Sequence, residues 1–300
     1  MRRAACALSA LSLGLFAITA GPTPEAIAQK GPAPLEIGMP QTFFHDIPPV
    51  IVNWASQSFQ AVMRDTTNLN GKLAPGGDAF TVAKNLSENK VQLGVFHGFE
   101  FAWVQKKHPE LKPLMLAVNT QAKVTAHVFV RKDSGIEKFA DLKGKEFAVP
   151  GKTKEHCHLF VERHCQGDGS CAPKQFFSHV VVAKNVETAM DDLCHGKIDA
   201  VVIDAIGLEF YKDLKPGCFA KLKEVAKSDA FVPPVIAYNP ASLDAATLAK
   251  LRDGLLRAHK TSMGDDLMKM WKITSFEPIP ANFQQALDKS YKAYPPPEGK

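Results

Sequence analysis

The 300-residue chain lacks a strong excess of either charge: 36 Lys+Arg stand against 31 Asp+Glu, a formal net of +5. A nucleic-acid surface needs a denser basic face, so no nucleic-acid partner is expected, and the small excess indicates only that small anions are tolerated. Beyond the N-terminus no apolar run approaches the roughly 18 to 20 residues that a membrane span needs. There is no internal repeat at solenoid periods and no low-complexity run beyond Pro295-Pro296-Pro297. Common catalytic motifs are missing as well: no G-x-S-x-G elbow, no H-E-x-x-H, no G-x-x-x-x-G-K-[ST] loop and no dinucleotide glycine fingerprint. Neither an enzyme nor a cofactor is expected. With 45% hydrophobic and 22% charged residues, the composition is that of a soluble globular protein, with apolar material for two cores.

The first residues follow another logic. Arg2 and Arg3 precede the apolar stretch Leu8 to Ala20, and Ala26-Ile27-Ala28 offers small residues at the two positions a signal peptidase reads. Residues 1–28 are expected to be a cleaved export signal, with the mature chain starting at Gln29 in the periplasm. Export makes disulfides possible, and five cysteines remain: Cys157, Cys165, Cys171, Cys194 and Cys218. An odd number leaves at least one unpaired within a monomer, the expected state. Cys165 and Cys171 flank Gln-Gly-Asp-Gly-Ser and could close a small ring, whereas no partner for Cys194 can be chosen. A helical Cys157–Cys165 bridge is excluded, since eight residues rise about 12 Å and disulfides need closer Cα atoms.

From Leu35 onward short apolar runs alternate with amphipathic helical stretches. Strands are expected at Leu35–Met39, Val91–Phe96, Leu111–Val118, Lys123–Val130 and Phe147–Val149. Helices are expected near 48–64, after Asp78 as cap, and over 100–108. Val180–Ala183 and Ala200–Ile203 are continuous apolar runs, the pattern of parallel strands covered on both faces. Between them Asn185 can cap a helix with Val186, Ala189, Met190 and Leu193 on one stripe, and Gly196 stands where it would stop. That is a βαβ unit. Ser242 can cap a late helix carrying Leu248, Leu251, Leu255 and Leu256. Lys123–Val130 and Val232–Asn239 lie between clusters of such units and are expected to cross between two lobes, 35–122 with 240–300 and 123–239. A cleft then opens where strand ends and helix N-termini meet, the usual place for ligands in open α/β sheets.

Four segments resemble a known family. Asp141-Leu142-Lys143-Gly144-Lys145 is similar to the DLKGK stretch that opens the second lobe of type II periplasmic solute-binding proteins. Gly196-Lys197-Ile198-Asp199-Ala200-Val201-Val202-Ile203-Asp204 resembles the GKVDAAAVD segment of the phosphate, phosphite and phosphonate binders of ABC importers. Val232-Pro233-Pro234-Val235-Ile236-Ala237 and Trp271-Lys272-Ile273-Thr274-Ser275-Phe276-Glu277-Pro278 also look like that family, over about residues 35 to 292. The resemblance implies a two-lobed, periplasmic-binding-protein-like α/β fold of type II with two hinge crossings. It further implies a soluble binder that closes on a small anion and delivers it to ABC permease subunits. The Ser/Thr-rich phosphonate turn of the family is replaced here by Pro150-Gly151-Lys152-Thr153-Lys154-Glu155-His156, and its pocket tyrosines by Phe96-His97-Gly98-Phe99-Glu100.

Candidate ligand-binding residues follow. Lys152, Thr153 and Lys154 sit after a strand and before a helix, where hydroxyl, amides and ammonium groups suit an oxyanion. Thr153 could equally be an ordinary helix cap. Asp204 could accept from a protonated oxygen or an amine, as the family's acidic residue does, or merely cap the next helix. His97 and Glu100 point at the cleft from the first lobe, with Phe99, Phe101 and Trp103 as apolar wall. Thr42, Phe43 and His45 leave the first strand in the same direction. A rival reading takes His156, Cys157, His158, His164 and Cys165 as an envelope metal- or redox-handling helix, although residues eight apart cannot share an ion on one unbroken helix; no metal is expected.

Overall fold

The computed structural model describes residues 34–44, 47–167, 172–297 and 299. The expected signal over 1–28, His45 and the Cys171 end of the expected small ring lie outside the described residues. Two sheets carry the fold. The first contains β1 (Leu35–Met39), β2 (Gly71–Pro75), β3 (Leu93–Phe96), β4 (Lys112–Val118), β10 (Val235–Tyr238) and β11 (Ser275–Glu277), in the order β11-β4-β10-β3-β1-β2. The second contains β5 (Ala126–Arg131), β6 (Glu146–Pro150), β7 (His179–Ala183), β8 (Ala200–Asp204) and β9 (Leu222–Lys227), in the order β7-β6-β8-β5-β9. The chain thus passes from first sheet to second between Val118 and Ala126, and returns between Lys227 and Val235.

The parallel strands are those joined through helices. β1 pairs in parallel with β2 and β3, and β6 with β7 and β8, while the strands flanking each crossing, β5 and β10, run antiparallel to their neighbours. This is the arrangement expected when a helix must return the chain over a sheet face but a crossing need not. The helices are α1 (Pro49–Thr67), α2 (Ala79–Ser87), α3 (Gly98–Lys107), α4 (Glu155–Gly167), α5 (Pro173–Phe176), α6 (Val186–Cys194), α7 (Ala205–Leu214), α8 (Pro216–Phe219), α9 (Ala245–Arg257), α10 (Ser262–Trp271) and α11 (Phe283–Ala293).

Capping decides several starts. Asp78 accepts from the Thr81 amide and Asn185 from the Thr188 amide, as their positions in the sequence indicate. The late helix is capped by Asp244, whose side chain accepts from the Thr247 amide, not by Ser242, whose hydroxyl donates to the Asn239 carbonyl. The α6 helix ends before Gly196, which adopts φ +73°, a conformation glycine enters without penalty. The run Val180–Ala183 corrects one expectation. β7 is an edge strand with Val182 73% exposed, so continuous apolar character here does not report cover on both faces. β8, paired on both sides, is buried from Ala200 to Ile203.

One core belongs to neither sheet alone. Phe99 and Trp103 of α3 pack in the same cluster as Val128, Phe147, Cys157, Phe160 and Phe231. Phe231 lies on the return crossing, with its ring 6.0 Å from Phe99, 5.4 Å from His156 and 4.6 Å from Tyr294. This seam holds the two sheets together beside the site. Phe101, expected in the cleft wall, turns instead into the first sheet's core against Phe96 and Phe283.

Candidate functional site

The first-lobe side of the site is a helix start. β3 ends at Phe96 and α3 begins at Gly98, so His97 occupies the N-cap position. Glu100, three residues on, reaches back to accept from the His97 amide at 3.1 Å, and its other oxygen accepts from Thr42 Oγ1 at 2.9 Å. This is capping-box geometry, in which a carboxylate serves a free first-turn N–H. Glu100 is buried, and desolvation pushes its carboxyl up to about 8 despite the Thr42 and His97 hydrogen bonds, which pull it down. The charges of Glu155 and Asp78 add to the rise.

Two rings fix the His97 imidazole. Phe43 stacks on it with centroids 3.9 Å apart, and Phe99 lies parallel at 5.4 Å. Desolvation, reinforced by the positive charges of His156 and Lys154, pushes His97 down to about 3; the Thr42 carbonyl pulls weakly the other way. His97 Nε2 is buried and has no hydrogen-bond partner among the described residues.

From the second lobe comes the turn between β6 and α4. Gly151 donates its amide to the Ala183 carbonyl at 2.7 Å, and a Cβ there would lie 2.9 Å from the Lys184 carbonyl. The close approach that glycine permits is therefore to the neighbouring strand's exit. Lys152 follows at φ +62° and is exposed. Thr153 donates both its amide and its hydroxyl to the Pro150 carbonyl, at 3.1 and 2.5 Å, so its hydroxyl proton is engaged within the turn. Lys154 is pushed down by desolvation and by Lys272, while Asp204 and Cys157 favour its charge.

Asp204 ends β8 and caps α7, accepting from the Gly207 amide at 2.7 Å. The capping reading is therefore present, and the same carboxylate also favours the charged forms of Lys154 and His156. His156 is a residue that sequence reasoning placed only in the metal rival. It is buried, its Nε2 lies 3.3 Å from the Thr125 carbonyl, and desolvation holds it near 4 against the pull of Asp204. Helical spacing was the available signal: His156, Cys157, Phe160, Val161 and Cys165 form the buried face of α4. Behind it, Thr125 Oγ1 meets His127 Nε2 at 2.8 Å, and His127 Nδ1 meets Glu224 Oε2 at 2.6 Å.

The structure thus groups His97, Lys154, His156 and Asp204 electrostatically, with Phe43 and Phe99 on one flank and Phe231 near His156. Lys152 stands apart on the exposed side. The metal reading of α4 is not favoured. His164 stacks on Phe139 and meets Phe160 edge-on, and Cys157 is a buried thiol pushed up by desolvation. Among the described residues the converging ligand set is Cys194, His195 and Cys218, off that helix, and Cys194 and Cys218 form a disulfide.

Comparison with known proteins adds three findings. A family model described as "ABC transporter, phosphonate, periplasmic substrate-binding protein" matches residues 42–282. No curated protein matches the chain. Among solved structures, XAC2383 from Xanthomonas citri bound to ATP is 15% identical, covering 87% of this chain and 96% of its own, with a TM-score of 0.59. A binding protein component of an ABC phosphonate transporter from Pseudomonas aeruginosa is 14% identical over 86% and 87%, TM-score 0.56. PhnD1 from Prochlorococcus marinus, in complex with methylphosphonate, is 11% identical over 86% and 97%, TM-score 0.58. At these identities the likeness is one of fold.

Proposed function

Because the chain belongs to the periplasmic phosphonate-binding proteins of ABC transporters, we propose that it captures a small phosphorus oxyanion between two lobes and delivers it to an importer's permease. One lobe carries the six-stranded sheet and the other the five-stranded sheet, with Val118–Ala126 and Lys227–Val235 as hinges. Residues 1–28 act as the export signal, and no described helix is long and apolar enough to cross a membrane. The protein works as a monomer and performs no covalent step.

The observation that carries this reading is the electrostatic convergence of Lys154 and His156, at the start of α4, on His97 from the first sheet, with Asp204 at the end of β8 acting on both. Lys154 supplies positive charge at the N-terminus of α4, the usual place for an anion. In a site closed from water that charge acts in a lower dielectric and is worth more. A ligand touching both lobes binds the closed form better than the open one, and this difference alone shifts the population toward closure.

Isothermal titration of phosphate, phosphite and methylphosphonate into the mature protein tests it, with small-angle scattering to follow closure. At least one of these should bind and reduce the radius of gyration, and Lys154→Ala should weaken that binding at least about tenfold, the loss expected for a charge-assisted hydrogen bond. Silence toward all three overturns the ligand class.

A further inference from the structure

A cluster of metal-ligating atoms lies where the end of α6 meets α8. The sulfurs of Cys194 and Cys218 and a ring nitrogen of His195 all lie within 4.8 Å of one another. Two thiolates and one imidazole are the donor set of an open zinc site, in which three protein ligands leave the fourth position to water. The two sulfurs are joined as a disulfide, so the set becomes available on reduction. Cys194 is buried, Cys218 half-buried and His195 exposed, which leaves one side of the cluster open to a reductant, an ion and a water.

His195 is oriented for such a role. Its Nδ1 lies 2.7 Å from the Asp191 carbonyl oxygen. A carbonyl only accepts, so Nδ1 carries a proton and Nε2 is the nitrogen left to a metal. Zinc-bound histidines almost always give their second N–H to a carbonyl, a carboxylate or water, which fixes the ring. The His195 amide donates to the same carbonyl at 3.0 Å and holds the residue as the cap of α6.

The disulfide is not the sole tie between these elements. The Lys215 ammonium group, just before α8, pairs with Asp191 and with Glu187 of α6, the latter at 2.9 Å. Tyr211 of α7 donates to Asp191 Oδ1 at 2.9 Å. Phe219, beside Cys218, packs against the same apolar cluster as Cys194. With the bridge opened, these contacts still hold α6 against α7 and α8. Two bonds of about 2.3 Å to one zinc let the sulfurs separate by no more than about 4.6 Å, and rotation of two side chains whose Cα atoms are 5.8 Å apart provides that span.

We infer that this flank of the five-stranded sheet is a redox-gated zinc site, in which Cys194, Cys218 and His195 bind one Zn2+ once the disulfide is reduced. A dithiol supplies the two electrons and two protons that open the bridge, and is itself oxidised to a disulfide. Zinc then displaces one proton from each thiol to water, and His195 Nε2 adds its lone pair. The site uses none of the residues of the anion-binding reading and does not depend on it.

Zn2+ titration of the mature protein against a chromophoric chelator tests this, with a phosphine as reductant because it competes little for zinc. The reduced chain should bind one zinc, and the oxidised chain should bind at least about tenfold more weakly. His195→Ala should cost the reduced chain at least about tenfold in affinity. Cys194→Ser/Cys218→Ser keeps the other cysteines, so it reports any zinc that they take, and it should bind no better than the oxidised chain. Co2+ in place of zinc should give a thiolate-to-metal charge-transfer band in the reduced wild type and none in the double variant. Melting temperatures under reduction check the fold; zinc should raise that of the wild type and leave the double variant unmoved. If reduction does not strengthen zinc binding, or if the double variant binds as the wild type does, the site falls. If the reduced chain unfolds and zinc does not restore it, the contacts of Lys215 and Tyr211 do not keep the ligands together, and the site falls as well. If His195→Ala binds as tightly as the wild type, the role of His195 is overturned.

Discussion

Phe43 and His97 lie face to face, their ring centroids 3.9 Å apart and their planes 10° from parallel. Phe43 in turn meets Trp271 edge-on at 6.3 Å, so the sandwich ties the turn after β1 to both α3 and α10. Removing this ring admits water to one face of the imidazole. Phe43→Ala should let His97 climb from about 3 toward its ordinary value near 6.5. An NMR titration of the ring protons checks this; a value that stays near 3 would show that the opposite face alone supplies the desolvation.

Stability should pass through a maximum near pH 6.5. His97 and His156 titrate near 3 and 4 in the fold, against about 6.5 unfolded, so the unfolded chain binds more protons there and stability rises with pH up to about 6.5. Glu100 works in reverse. Its carboxyl is raised to about 8, so from about 4.5 to 8 the folded state holds the extra proton and stability falls as pH rises. Above 6.5 only this fall remains, at up to about 1.4 kcal/mol per pH unit per proton. Glu100→Gln should flatten the decline between 6.5 and 8 in melting temperatures, and His97→Gln should make the acid limb shallower. A Glu100→Gln profile that still declines over that window would mean that another group causes it.

The Cys194–Cys218 bridge joins the end of α6 to α8 across 24 residues of sequence. Closing a loop of that length removes unfolded-state entropy equivalent to roughly 3 to 4 kcal/mol. The Cys194→Ser/Cys218→Ser protein should lose stability of that order in urea titrations, and reducing the wild type should lower its midpoint similarly. Equal midpoints with and without reductant would show the bridge to be energetically neutral.

Much of the fold is legible in the sequence because it rests on local rules. Val91–Phe96, Leu111–Val118 and Ala200–Ile203 are apolar runs bounded by turn residues, and they become β3, β4 and β8. β2 and β9 escape notice because Gly71-Lys72-Leu73-Ala74-Pro75 and Leu222-Lys223-Glu224-Val225-Ala226-Lys227 lack a continuous apolar signature. Val182 misleads because edge position is a tertiary property that the run itself does not encode. The site divides in the same way. His97, Glu100, Phe99, Lys154 and Asp204 follow the ends of β3, β6 and β8, a position that the apolar runs before them mark in advance. The Thr153 hydroxyl turned back on Pro150, the Cys194–Cys218 pairing and the buried contact of His156 with Thr125 depend on which turns and strands become neighbours, and no periodicity reports that.

Gly98 ties the site to the hinge. A Cβ at this position would lie 2.2 Å from the Val232 carbonyl oxygen and 2.5 Å from the Val232 Cβ, so α3 starts directly against the crossing that returns the chain to β10. Backbone cannot yield there as a flexible side chain could, and overpacking of this kind costs about 1 to 3 kcal/mol. Gly98→Ala should therefore lower stability by that amount and, because His97 is its neighbour and the crossing is a hinge, weaken ligand binding as well. Gly76, where an added methyl group would meet nothing within 4 Å, provides the control: Gly76→Ala should stay within about 0.5 kcal/mol of wild type. Urea titrations and calorimetry on the two variants decide the matter, since equal stabilities would mean that the crossing shifts freely away from α3 and transmits nothing to His97.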